Sequence, residues 1–415
     1  MPGRRDGGFG PRPAPPARET TVRKPLFLIV LVLALTGPGS AQSLSLAFVQ
    51  HATDNLFQTR YAEKDTVSNL SFSLDQPIRP FSFFTEGGYS YLAKNPGISF
   101  YTQEAGLDYL HAAGAKTALY ASVKAGGSIY KEDYSDFNYY SLGFIGAMKS
   151  YLTPSSILKL TYTMGYKAYA YDKFDFHSHL VNLSVDKYLP SRTTLKAEGT
   201  YGYKYFLHPF ESETVVIEPP GPGGGGGSGH GRMKGGGLAG QPGSIIVTNG
   251  ADEGSGLQIG SISGLVAQGI GDRFGLRLSG IRQWTLSGEN PFSSIAEFYM
   301  IENPTYDIFS WNGYVFTGEA TFEAPWNMQL KLGYTGSVKS FPGIEAMDLE
   351  GTSLGTQRQD TRNQWETRLQ KDFPAFSLYA FYSYIDNSSN DPLFDWKGHY
   401  FGVSVDWRIN WGKGR

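Results

Sequence analysis

The stretch Tyr400-Phe401-Gly402-Val403-Ser404-Val405-Asp406-Trp407-Arg408-Ile409-Asn410-Trp411 alternates without a break. Phe401, Val403, Val405, Trp407, Ile409 and Trp411 take the odd positions, and Gly402, Ser404, Asp406, Arg408 and Asn410 the even ones. Successive side chains of a β-strand point to opposite faces, so this is a strand with one wholly apolar and one polar face. A soluble sheet rarely needs six bulky apolar residues in a row, closed by aromatics. A strand with lipid on one side and water on the other does.

Composition fits that environment. The 415 residues include 27 Tyr, 27 Phe, 7 Trp and 52 Gly, with a mean hydropathy of -0.30. Many aromatics at low hydropathy are expected when only alternate residues meet lipid and aromatic girdles mark the interfaces. The absence of Cys excludes a disulfide framework or a thiolate metal site. A net charge of -2 provides no basic footprint for nucleic acid. The one continuous apolar run, Leu26 to Leu35, is too short to span a bilayer, which takes roughly 20 residues. Arg18, Arg23 and Lys24 precede it and Gly39-Ser40-Ala41 follows. Residues 1–41 therefore read as a secretory signal peptide with a long n-region, and the mature chain as 42–415.

Alternation continues in segments near 43–51, 65–75, 81–92, 98–111, 115–129, 137–152, 156–171, 174–188 and 192–206. After a long insert it resumes near 255–269, 272–287, 308–323, 326–340, 359–372, 375–388 and 396–411. The count is sixteen, with fourteen or eighteen as the alternatives. Every second connection is tight and rich in Pro or Gly: Gln76-Pro77-Ile78-Arg79-Pro80, Ala112-Ala113-Gly114, Thr153-Pro154-Ser155, Leu189-Pro190-Ser191, Ile270-Gly271, Ala324-Pro325 and Phe373-Pro374. The others are longer. A propeller or solenoid would show similar repeats, and no period beyond the hairpins is visible.

This pattern resembles bacterial outer-membrane β-barrels, porin-like, whose last strand ends its apolar alternation in a terminal aromatic. Here four residues, Gly412 to Arg415, follow Trp411. The resemblance implies an all-β fold, a transmembrane antiparallel up-and-down barrel in the outer membrane of a Gram-negative-type bacterium. It also implies outer-membrane lipid, periplasmic chaperones and the barrel-assembly machinery as partners, with Phe401, Val403, Val405, Trp407, Ile409 and Trp411 as the insertion signal. A homo-oligomer, common among general porins, is a further expectation.

A barrel of sixteen strands is wide enough for a water-filled channel. The expected function is thus a passive porin-like channel for small hydrophilic solutes. The alternative is a non-conducting structural, adhesive or secretion-partner barrel working through its extracellular loops. Pore-lining candidates are Lys124, Lys159, Lys167, Lys196 and Lys204, set against Glu86, Glu104 and Asp108. Opposite charges in different wall sectors would impose a transverse field, or would merely pair across neighbouring strands. Arg358, Arg362, Glu366 and Arg368, with Asp360, form one face of a polar strand that reads either as a basic ladder or as an ion-pair network.

Residues 206–254, glycine-rich from Gly221 to Gly243, read as a disordered extracellular loop, or as one folded into the mouth as a gate. Glu289 to Thr305 and Phe341 to Gly355 read as inserts whose apolar residues could pack into the mouth. The first loop, containing Asp54-Asn55-Leu56-Phe57, carries no site signal. An enzyme is not expected. In His177-Ser178-His179 the serine faces away from both histidines, and Asp172, Asp175 and His177 match a rim protease no better than other loop acids. No cofactor or metal site is indicated, because His177 and His179 share a face without further ligands.

Overall fold

A computed structural model describes residues 42–170, 175–208, 215–216, 245–246, 256–289 and 307–411. Residues 1–41, read above as a signal peptide, and most of the Gly-rich segment lie outside the described residues, as do Asp172 and nearly all of the insert from Glu289 to Thr305. Sixteen antiparallel strands close into one barrel. They are β1 (Gln42–Thr53), β2 (Asp65–Ile78), β3 (Phe81–Leu92), β4 (Phe100–Ala112), β5 (Thr117–Tyr130), β6 (Tyr139–Thr153), β7 (Ser156–Tyr169) and β8 (Phe176–Tyr188). The wall continues with β9 (Thr193–Phe206), β10 (Gly256–Ile270), β11 (Phe274–Ser287), β12 (Asn312–Ala324), β13 (Met328–Met347), β14 (Ser353–Asp372), β15 (Phe376–Ser389) and β16 (Trp396–Trp411). A two-residue pair, Val215–Val216 with Ile245–Ile246, stands apart from the wall.

Closure is made by β1 and β16, whose register runs from Gln42 opposite Trp411 to Thr53 opposite Tyr400. Each strand pairs with its sequence neighbour, so no edge is left unpaired and every wall strand has its backbone groups satisfied from both sides. Connections at one end are two to four residues long, as at 79–80, 154–155 and 325–327, while those at the other end are mostly longer. Positive φ helps the short turns reverse: Gly114 at 93° and Gly271 at 58° adopt it freely.

Register assigns the two faces. Leu46 lies opposite Phe72 and Trp407, and Phe48 opposite Leu70 and Val405, all pointing outward. Ser45 lies opposite Ser73 and Arg408, pointing inward. Leu70, Val123, Leu142, Ile262, Leu278, Phe316, Leu332 and Phe401 are exposed on the outside, an apolar belt of the kind that faces lipid. The wall is therefore a transmembrane barrel, as the alternation predicts.

One expected insert is different. The segment from Phe341 to Gly355 is not a loop throughout: β13 and β14 are each 20 residues long and extend as a hairpin beyond the belt. Their register shifts after the Ser340–Gln359 pair and resumes at Glu345–Gln357. Phe341 and Ile344 are buried against Trp311, which ties the hairpin to the neighbouring strand end. The apolar content expected to pack into the mouth does so from extended strands.

Candidate functional site

The inner wall is polar over most of its length and changes character at the long-loop end. Three of the loops there use one device. Ser99, Asn138 and Asp175, each next to the start of a descending strand, accept the backbone N–H of the residue closing the strand before: Leu92 at 3.2 Å, Tyr130 at 2.6 Å and Tyr169 at 2.7 Å. Their own carbonyls accept from Lys131, Ala170 and Leu207, just past the end of the next strand. The polar residue is short because it must bond the backbone locally. The residue after it is aromatic and points inward: Phe100, Tyr139 and Phe176. Phe309-Ser310-Trp311 and Phe394-Asp395-Trp396 repeat the pattern at the entries of β12 and β16. This recurrence is a period that the sequence reading missed.

Those inward aromatics carry cations. Lys167 Nζ lies 4.8 Å from the Tyr139 ring, Lys204 Nζ 4.1 Å from Phe176 and Lys339 Nζ 4.4 Å from Trp311. The Arg362 guanidinium lies 5.6 Å from Trp396, and that of Arg358 lies 3.5 Å from Phe394 and 4.5 Å from Phe341. The result is a collar of aromatic faces and positive charges around the mouth, where cation–π attraction offsets part of the cost of leaving water.

Two carboxylates are bound into the collar. Arg358 donates from Nε to Asp360 Oδ1 at 3.0 Å, and Ser389 Oγ adds a bond of 2.7 Å to the same oxygen. Lys204 pairs with Asp307 at 3.0 Å, and both side chains are buried. Burial works to raise the Asp307 carboxyl, but Lys204, the Phe309 N–H and the Ser310 hydroxyl hold it below the ordinary value. Asp391, between β15 and β16, shows the opposite balance. Burial raises it, against the Met347 and Leu393 N–H groups and Arg358.

The first loop, 54–64, is the segment whose role the sequence did not mark. Asn55 and Thr59 are buried and clasp one another: Asn55 Nδ2 donates to the Thr59 carbonyl at 2.7 Å, and Thr59 N–H to Asn55 Oδ1 at 3.2 Å. Phe57 packs with Val67, Leu92 and Ile98 on one side of the mouth. On the other side the Arg60 N–H reaches the Leu393 carbonyl, and Arg362 donates to Gln58 Oε1 at 3.4 Å. β2 and β14 are separated by β1, β16 and β15, so the loop crosses the inside of those three strands. It narrows the mouth from within.

Deeper in the lumen the sequence candidates all take inward positions. Lys124 pairs with Glu104 at 2.8 Å, Lys159 with Asp186, and Lys196 with Glu198. Asp108 accepts from the Tyr120 hydroxyl at 2.8 Å. Glu86 stands directly opposite Glu104, and the two help line a recess of about 370 Å³ with Ser45, Ser73 and Ser141. Lys124, Lys159, Lys196 and Lys204 are thus each locally paired, as the second of the two readings expects, and Lys167 also lies over the Tyr139 ring. On the face of β14, Arg358 is paired with Asp360, Arg362 bonds Gln364 as well as Gln58, and Arg368 stacks on Tyr379 at 4.2 Å. Glu366 is opposite Ser383.

The strands also separate the residues a rim hydrolase would need. His177 and His179 lie opposite Tyr166 and Met164 on the outside, where Tyr162 bonds His179 Nδ1 at 2.7 Å, whereas Ser178 faces the lumen. Asp175 is engaged by the Tyr169 N–H.

No protein-family model matches the sequence, and no curated protein matches it. Three solved structures illustrate what it is similar to. OccAB1 of Acinetobacter baumannii aligns over 90% of this chain and 98% of its own, with a TM-score of 0.48 and 10% identity. OpdO of Pseudomonas aeruginosa aligns over 90% and 97%, with a TM-score of 0.43 and 9% identity. CdiB of Acinetobacter baumannii aligns over 88% of this chain and 60% of its own, with a TM-score of 0.48 and 10% identity. Similarity this distant concerns the barrel shape, so the function is read from this chain's own residues.

Proposed function

We propose that this chain is a passive channel for small hydrophilic solutes in the outer membrane of a Gram-negative-type bacterium. The observation that carries the reading is the closed ring of sixteen strands with an inward polar face, a circumference at which side chains alone do not fill the lumen. Its short-turn end, where both termini of the barrel meet, is then periplasmic, and the collar and first loop are extracellular. Removal of residues 1–41 on export, escort by periplasmic chaperones and insertion by the barrel-assembly machinery through the β16 pattern belong to the same proposal.

The narrowing of the mouth supports a second reading, a non-conducting barrel whose loops bind a partner. Single-channel conductance of refolded residues 42–415 in a planar bilayer separates the two. Stable ohmic steps are expected. Folded, inserted protein that passes no current would overturn the channel and leave the loop surface as the working part.

A further inference from the structure

The outside of the barrel carries a feature that a purely lipid-solvated wall does not need. Arg282 lies opposite Ile262 on β10 and Tyr314 on β12, and both neighbours are exposed on the lipid face, so its guanidinium is outside as well. It lies 4.1 Å from the Tyr314 ring and 5.3 Å from the Trp284 ring. A lipid-facing arginine is unfavourable unless it sits near the interface or meets an anion. Among the described strand residues, two outward carboxylates lie toward the long-loop end: Asp386 on β15, four strands away, which Lys397 holds at 2.9 Å, and Glu345 on the part of β13 that extends beyond the belt, which bonds the Ser353 hydroxyl. Among the described residues neither of them, nor any other carboxylate, makes an ion pair with Arg282.

Beside this cation the wall is cut away. Gly199 stands opposite Ile262, and Gly264 opposite Gly280, all on the outer face of β9, β10 and β11. A Cβ on Gly199 would meet nothing within 4 Å, and on Gly264 or Gly280 only a backbone oxygen at 3.9 or 4.0 Å. Leu278 and Phe316 stand proud beside them. The wall thus has a trough bordered by large apolar side chains, with a guanidinium between two aromatic faces at its long-loop end. A hydrocarbon chain fits the trough. A phosphate suits the guanidinium, which binds such anions in a bidentate manner, and sugar rings stack on exposed Trp and Tyr faces.

We propose that the outer face of β9–β12 is a binding site for one phosphorylated glycolipid of the outer leaflet, with its phosphate on Arg282 and an acyl chain over Gly199, Gly264 and Gly280. The site is outside the lumen, so its failure and that of the channel reading are independent.

The test is native mass spectrometry of the folded 42–415 barrel released from detergent. The probes are bis-phosphorylated lipid A, its dephosphorylated form and phosphatidylglycerol. The barrel should retain bis-phosphorylated lipid A about tenfold better than either other lipid. Arg282→Gln should erase the preference for phosphate. Gly280→Leu, whose side chain has open space before it, should weaken both lipid A forms about tenfold. Heat-modifiable migration on gels verifies that each variant is folded. Equal retention of the three lipids, unchanged retention by Arg282→Gln, or a barrel dimer that Gly280→Leu dissociates would each overturn the proposal.

Discussion

Arg358 is 2% exposed, enclosed by two phenylalanine rings and bonded to an equally buried Asp360. Removing Arg358 leaves the buried Asp360 with Ser389 and the facing Lys339 but without both bonds of its guanidinium partner. Arg358→Ala should therefore lower stability by about 3–5 kcal/mol, and Arg358→Met with Asp360→Leu by much less. Urea titration of the refolded variants reads both. The carboxyls of the mouth have opposite pH signatures. Asp391, raised by burial, stabilises the fold below its ordinary value of 3.8, and that contribution fades as pH rises through its folded value. Asp307, held low by Lys204, stabilises above 3.8, and that contribution is lost as pH falls through its lower folded value. Stability should rise on acidification from neutral pH toward 3.8 and fall below it, and Asp391→Asn should flatten the upper limb alone. Denaturation at a series of pH values tests this.

At the scale of elements, the first loop is held by local bonds and by contacts far away in sequence. Its conformation depends on the Asn55–Thr59 clasp, and its position on Phe57, Arg60 and Gln58. Asn55→Ala removes both clasp bonds and leaves the Thr59 N–H buried without that acceptor, at a cost of about 1–3 kcal/mol. The Thr59 amide should then exchange with solvent faster, while amides in mid-β1 stay protected. Replacing residues 56–62 with a short Gly/Ser linker should raise single-channel conductance if this loop sets the narrowest section. Unchanged conductance would place the constriction elsewhere. The β13–β14 hairpin is anchored differently, by Phe341 and Ile344 on Trp311, so its position follows from apolar packing.

For the whole molecule, the distribution of lumen charge matters more than its total. Lys124, Lys159 and Lys196 find carboxylates on the same or an adjacent strand, which shortens the field each produces. Breaking one pair should unmask it. Glu104→Gln frees Lys124 and should shift the reversal potential under a salt gradient toward anions, and Lys124→Met in the same chain should shift it back. A potential that ignores both changes would put this pair off the conducting path.

The wall was legible in the chain because a β-strand has a period of two and lipid tolerates only apolar side chains. Alternation therefore placed sixteen strands, their faces and the short turns, with most strand ends within a few residues. It also placed Lys124, Lys159, Lys196 and Glu104 inward, since parity alone decides that. It overlooked the mouth for a different reason. Nothing near Gln58 in sequence announces Arg362, and nothing near Lys204 announces Asp307; each pair is separated by about a hundred residues or more and meets only when the ring closes. The short polar residues at 99, 138 and 175 were visible as letters, but their common role became visible only with the strand ends side by side. Sequence by itself determined a membrane-spanning barrel and the two sides of its wall, because those follow from local periodicity. Tertiary structure alone decided which charges pair, which loop enters the lumen and where the outer wall is hollow, because each depends on residues that closure of the barrel brings together.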